Sequence, residues 1–205
     1  MVVVGLIGIL SAVGYANFSQ GSEQSRDAQR QADIRIVSTA VELYKNKYGR
    51  YPEGCNSPGT WSGHALDYAC ASGNEYIKGL APEFIPRLPQ DPKPKGDDSG
   101  YAYLTNTDGS VYKFIVFQTV ESEVVDYTHE FKICDYDGDN SATSLCVNVA
   151  ASENNLPDYC KPGNSVFKTS YATWGGFAVP TIAINKSNYS QLVEKGTENV
   201  VCMIP

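Results

Sequence analysis

The first eighteen residues, Met1 to Phe18 (MVVVGLIGILSAVGYANF), carry no charge, and the first charged side chain is Glu23. As a helix rising about 1.5 Å per residue, this stretch covers about 27 Å, close to the ~30 Å hydrocarbon core of a bilayer. Water alone is not a tolerable surrounding for it; it needs lipid or protein. Gly8, Ala12 and Ala16 recur at every fourth position, and Gly5 lies one turn before Gly8. Small residues at that spacing let helix backbones approach closely. Each glycine also weakens the helix by about 1 kcal/mol relative to alanine, so the stretch is expected to bend or melt locally in a bundle. The positions expected to assemble helix on helix are Met1, Val4, Gly5, Leu6, Gly8, Ile9, Ala12, Val13 and Ala16. A cleaved signal peptide and a simple membrane anchor are the competing readings. Against the first, no Lys or Arg precedes Arg26, and Gly14-Tyr15-Ala16 is a poor cleavage site.

The helical pattern continues past the apolar run. Ala28 to Tyr48 contains neither Gly nor Pro, and Ile34, Val37, Val41, Tyr44 and Tyr48 follow steps of three and four. Ile36, Ala40 and Leu43 are expected to widen that face, with Arg35, Glu42, Lys45 and Lys47 largely outside it. Asp27 and Arg30, one turn apart, read as a weak surface pair. Gly49 supplies a stop and Pro52 prevents continuation. One helix is therefore expected from near Met1 to Tyr48. Its second half packs on its own head, and its first half needs lipid before assembly and neighbouring subunits afterwards.

Six cysteines, Cys55, Cys70, Cys134, Cys146, Cys160 and Cys202, follow this export-like start, and none forms a C-x-x-C pair. Three disulfides are expected, out of fifteen possible connectivities. Pairing of sequence neighbours gives Cys55–Cys70, Cys134–Cys146 and Cys160–Cys202; some buried free thiols are the alternative. The formal net charge of −7 argues against nucleic-acid binding, which draws on a basic face.

Several segments resemble the type IV pilins and the pseudopilins of type II secretion. The apolar run looks like the start of those proteins just after a processed Phe-Thr-Leu-x-Glu. The segments Arg26-Asp27-Ala28-x-Arg30-x-x-Asp33-Ile34, Ala40-Val41-x-Leu43-Tyr44 and Tyr48-Gly49-x-Tyr51-Pro52 are similar to the helix end of the major pseudopilin-like branch. Leu88-Pro89-x-Asp91-Pro92 followed by Tyr101-x-Tyr103 is similar to the same branch. The resemblance covers roughly residues 1–120; residues 130–205 carry no pattern of that family. It implies an α+β, pilin-like fold, with a long N-terminal helix packed on an antiparallel sheet head and a disulfide-tied C-terminal lobe. It implies an extracellular filament of identical subunits at the cell surface, derived from a single-pass precursor in the inner, cytoplasmic membrane. Prepilin peptidase and the pilus assembly machinery are the implied partners, and a methylated N-terminus the implied processing. The family glutamate would lie two residues before Met1, so a truncated sequence is expected, with a true variant as the alternative. Many of these proteins carry a proline near Ala16, and this chain does not.

Four regions follow from this reading: an assembly and spine helix over 1–50, a loop region over 51–100, an antiparallel sheet over 101–150, and a C-terminal lobe of loops and strands over 151–205. Within the loop region, Ile77–Phe84 is expected to form a short helix. Strands are expected at Tyr101–Thr105 and Val111–Val120, around the turn signal Thr107-Asp108-Gly109. Further strands are expected at Glu130–Cys134, Leu145–Val149, Phe167–Tyr171, Phe177–Ile184 and Val200–Ile204. Tyr112, Phe114 and Val116 face one side of their strand and Ile115 and Phe117 the other, the pattern of a strand covered twice.

Asp135, Asp137 and Asp139 alternate in a tight loop, a donor set suited to a hard cation such as Ca²⁺. It is not an EF-hand, and a solvated acidic turn is the alternative. Asn185 and Asn188, like Asn17, begin N-x-[ST] sequons, so they are candidate glycosylation sites, with no glycan as the alternative. Neither His64 nor His129 has companions that suggest chemistry, and G-x-S-x-G, P-loop and H-E-x-x-H motifs are all missing. A structural role without catalysis is expected. The leading expectation is a pilus subunit. A secretion pseudopilin and a non-polymerising, membrane-anchored, calcium-dependent binding module are the alternatives.

Overall fold

The computed structural model describes residues 2–64, 68–70, 75–96, 98–122, 124–135, 146, 157–176 and 199–205, with side chains of the first helix from residue 21 onward. That helix, α1, runs Val2–Tyr48, 47 residues or about 70 Å. It ends as the sequence predicts. Gly49 adopts φ +76°, and its N–H donates to the Lys45 carbonyl at 2.7 Å, closing a left-handed cap. Lys45 and Lys47 in the last turn complement the negative end of the helix dipole.

The buried stripe of α1 includes Asp27, Arg30, Ile34, Val37, Ala40 and Val41. Three apolar residues expected on that face are not buried. Ile36 is 50% exposed, Leu43 49% and Tyr48 48%. The helix meets the head along one narrow seam, and Ile36 and Leu43 point away from it.

The head is built on a four-stranded antiparallel sheet in the order β1-β2-β3-β4, formed by β1 (Ser62–Gly63), β2 (Gly100–Thr105), β3 (Tyr112–Phe117) and β4 (Tyr171–Gly175). The architecture is thus α+β, with an N-terminal helix, an antiparallel sheet and disulfides. The central hairpin lies where the sequence places it, with Tyr103 opposite Phe114. Its turn is closed by the Asn106 side chain, which accepts from the N–H groups of Ser110 and Val111. All residues of β2 and β3 are buried, as a doubly covered pair requires. One face meets α1: Tyr101 donates to Asp33, Tyr112 bonds Ser38, and Gln31 donates to Tyr171.

The outer strands are not those expected. Residues 130–134 form turns and bends beside β4, where the Phe131 carbonyl accepts from the Ala172 N–H at 2.9 Å. The segment expected as a strand at Phe167–Tyr171 opens in a helical turn, α2 (Ser165–Lys168), capped by the Asn164 side chain, and only Tyr171 enters a strand. Asn164 offers the Val166 N–H a carbonyl partner, so the chain turns before β4 begins. The C-terminal segment is also helical, as α3 (Asn199–Cys202). Ile77–Phe84 forms turns in place of the expected helix, with a Phe84-to-Leu80 backbone bond inside it and a Lys78-to-Glu53 bond tying it to the chain after α1. The segments 147–149 and 177–184 lie outside the described residues. The 51–100 stretch is more than a surface loop: it supplies β1 and buries Tyr51, Trp61, Tyr76, Ile77, Leu80, Ile85 and Leu88.

The disulfides are Cys55–Cys70, Cys134–Cys160 and Cys146–Cys202. The first matches the neighbour pairing; the other two correct it. Cys134, at the end of the 130–134 stretch, and Cys160, the one buried residue of the 3-10 turn Asp158–Cys160, meet in the core. Cys202 reaches Cys146 because α3 packs against β3. Lys113 lies on the second face of β3, fully buried; burial pushes its ammonium down to about 7, and three carbonyl acceptors around it work against that shift by favouring the charged form. Its Nζ donates to the carbonyls of Ile133, Val201 and Met203 at 2.6, 2.7 and 2.8 Å.

Two glycines with positive φ give a stability test. A Cβ on Gly176 (φ +84°) would lie 2.0 Å from the Ser110 carbonyl oxygen and 2.5 Å from the Tyr51 ring, whereas one on Gly59 (φ +83°) meets nothing within 4 Å. Gly59→Ala should cost about 1 kcal/mol from backbone strain alone, and Gly176→Ala distinctly more. Urea unfolding of both variants measures the difference; equal costs would contradict the packing described.

Candidate assembly interface

Two features of α1 define the candidate site. The first is a charged collar at the point where the helix joins the head. Arg30 is fully buried and lies on the same stripe as Ile34 and Val37, one turn earlier. Its guanidinium grips Asp91 with two parallel bonds, Nε to Oδ2 at 3.0 Å and Nη2 to Oδ1 at 2.9 Å. It also donates to Asp27 at 2.7 Å and Glu121 at 3.3 Å, and to the Lys93 carbonyl. Asp27 in turn accepts the N–H groups of Glu121 and Ser122 and the Ser122 hydroxyl. Glu121 is held by Arg26 and by the Lys93 ammonium. Thr119 donates to Asp91 at 2.7 Å. The collar thus contains three cations (Arg26, Arg30, Lys93) and three carboxylates (Asp27, Asp91, Glu121).

Burial alone would expel a guanidinium, but the bonds to Asp91 and Asp27 outweigh it and raise the Arg30 pKa above its ordinary value. The Asp27–Arg30 pair, expected as a weak surface contact, is a buried one. The signal was in the spacing: Asp27 and Arg30 extend the apolar stripe of Ile34, Val37 and Val41 towards the N-terminus. Charges on a core stripe need partners from the head.

The second feature is the outward face of α1. Ala28, Ala32, Ile36, Thr39 and Leu43 are all exposed and follow steps of four, four, three and four. They form a seam at coiled-coil spacing on the side of α1 opposite its buried stripe. A groove of about 510 Å³ borders this seam between Gln29, Asp33 and Ile36 of α1 and the 85–90 segment. Asp33 lines it, and desolvation together with the Asp91 charge raises its carboxyl pKa even though it accepts from Tyr101.

The assembly positions Val4 to Ala16 lie within α1, but their side chains, and Met1 entirely, fall outside the described residues. Among the described residues no helix is long and apolar enough to cross a membrane. Of the calcium candidates only Asp135 is described, and its carbonyl accepts the Cys146 N–H at 3.5 Å. Asp137, Asp139, Asn185 and Asn188 lie outside. His64 packs edge-on against Tyr76, and burial lowers its pKa. His129 stacks on Tyr171, and its Nδ1 accepts the Phe131 N–H. Comparison with protein-family models, curated proteins and solved structures finds no match to this chain.

Removing one partner from a buried ion cluster leaves the others uncompensated. Arg30→Met should therefore destabilise the head by about 3–5 kcal/mol in urea unfolding, while Arg35→Ala, which breaks the exposed pair with Glu130, should cost no more than about 1 kcal/mol.

The collar also sets an acid limit. The Arg26 hydrogen bond, helped by Lys93 and Arg30, holds the Glu121 carboxyl down to about 2. The folded value lies below the ordinary 4.5, so the stabilising contribution is complete above pH 4.5 and is lost as pH falls towards 2. Unfolding titrations between pH 5 and 2 should show this loss in the wild type, and a smaller slope in Glu121→Gln.

Proposed function

We propose that the chain is the structural subunit of an extracellular, type IV pilus-like filament, polymerising through its apolar N-terminal helix. The observation that carries this reading is the division of labour along α1. One helix holds a charge-free end, a charged collar bonded to the head, and an exposed seam from Ala28 to Leu43 that the head leaves uncovered. A helix committed only to its own head has no use for a second apolar seam. Copies placed side by side would bury that seam together with the Met1–Phe18 stretch. The resemblance of residues 1–120 to pilins and pseudopilins supports the same assignment. In this reading the precursor sits in the cytoplasmic membrane, prepilin peptidase processes it, and the assembly machinery extracts it into the growing fibre.

Electron microscopy of material sheared from cells tests the reading. Continuous fibres are expected from the wild type, and none from Leu6→Asp or Ile9→Asp. Ile36→Asp combined with Leu43→Asp should leave head unfolding within about 0.5 kcal/mol of wild type, because both positions are exposed, and should still shorten or abolish fibres. A monodisperse monomer that keeps its function after removal of Met1–Phe18 would overturn the proposal in favour of a binding module.

A further inference from the structure

Beyond the assembly helix, the head holds a cluster of two disulfides and one buried ammonium that filament formation does not use. The Sγ atoms of Cys134, Cys146 and Cys160 all lie within 4.8 Å of one another, although Cys134 is bonded to Cys160 and Cys146 to Cys202. With a bond length near 2.05 Å, a sulfur shift of at most about 3 Å would close Cys134–Cys146 or Cys146–Cys160 instead. Proximity therefore does not choose the partners. Loop entropy favours a wrong bond, because Cys134–Cys146 closes a shorter loop than the 26-residue separation of Cys134 and Cys160. Something else must select the observed pairing.

Lys113 is placed to do so. Its three bonds go to the carbonyl of Ile133, immediately before Cys134, and to those of Val201 and Met203, on either side of Cys202. An ammonium has three N–H donors and no acceptor, so three convergent carbonyls satisfy it. One side chain thereby fixes the backbone beside one cysteine of each bridge. Lys113 itself sits in the β2–β3 hairpin, whose contacts are local in sequence and do not depend on either disulfide. Trp61 adds a bond to the Ile204 carbonyl at 2.9 Å, on the same C-terminal segment.

We propose that Lys113 is a positioning residue that selects disulfide connectivity: it gathers the Ile133 and Val201–Met203 carbonyls, delivers Cys202 to Cys146, and leaves Cys160 to Cys134. The residue takes no part in the redox step. Each bridge forms when one cysteine thiolate attacks an oxidant disulfide such as oxidised glutathione, releasing one reduced thiol. The second cysteine then attacks the mixed disulfide and releases another. Two protein thiols and one glutathione disulfide give one protein disulfide and two glutathione thiols. This inference is independent of the filament reading.

The test is oxidative refolding of the full chain. Reduced, denatured protein is diluted into a glutathione redox buffer, trapped with iodoacetamide at intervals, and mapped by mass spectrometry. Trapping reads the bonds whether or not a variant reaches its final fold. Wild type is expected to accumulate Cys134–Cys160 and Cys146–Cys202. Lys113→Met should lower that pair of bonds several-fold, with Cys134–Cys146 rising and Cys202 left free or joined to Cys160. Cys55–Cys70 should form at the wild-type rate in both. Ile115→Ala, on the same face of the same strand, removes packing without touching the three carbonyls and should keep the native pairing. Native pairing in Lys113→Met at the wild-type yield would overturn the proposal. So would scrambling in Ile115→Ala as extensive as in Lys113→Met.

Discussion

Arg30 is the point on which the relation of helix to head depends. A guanidinium with no exposure to water persists only where every N–H has an acceptor and the charge is balanced. Asp91, Asp27 and Glu121 meet both conditions, and they come from three different stretches of chain. Asp27 and Arg30 belong to the helix, Asp91 to the loop between β1 and β2, and Glu121 to the segment leaving β3. The collar therefore fixes rotation as well as distance. A helix turned by a single residue would carry Arg30 away from Asp91 and take Ile34 and Val37 out of the core. Dispersion and burial along Ile34, Val37 and Val41 supply attraction that is tolerant of small slides. The bidentate Arg30–Asp91 pair supplies the geometry that does not slide.

The two halves of the head differ in how they are held. On the helix side, the tyrosines of the sheet bury their rings and send their hydroxyls to polar groups of α1: Tyr101 to Asp33, Tyr112 to Ser38. Each ring adds apolar area, and each hydroxyl finds a partner, so the aromatic layer carries no unsatisfied cost there. On the opposite side, cover among the described residues comes from turns, from α3 and from the last residues of the chain. That side relies on covalent bridges and on the Lys113 ammonium instead of a hydrogen-bonded ladder.

How far the amino-acid order announced this arrangement depended on whether its signals were local. The span of α1, its stop at Gly49 and the hairpin around Gly109 follow from periodicity and turn chemistry, and all three are found in place. The outer strands were misplaced because a two-residue strand such as Ser62–Gly63 has no periodicity to detect. Phe167 and Tyr171 look strand-like, but the Asn164 cap starts a turn of helix that takes in Phe167, and only Tyr171 enters a strand. The Asp27–Arg30 pair was visible and its burial was not, since burial depends on Asp91 and Glu121, more than sixty residues away. Ile36 and Leu43 were assigned to the wrong side because two apolar seams on one helix were read as a single broad one. The crossed bridges at Cys146 and Cys160 were misread for a similar reason: nearest-neighbour pairing ignores a segment that arrives from the far end of the chain.

Because the collar pairs three positive with three negative side chains, its field cancels within a few ångströms, and the chain's seven-charge acidic excess resides elsewhere. In the filament proposed above, bringing two such necks side by side would therefore incur little Coulombic toll. Tight lateral spacing and a strongly anionic exterior are thus compatible in one molecule.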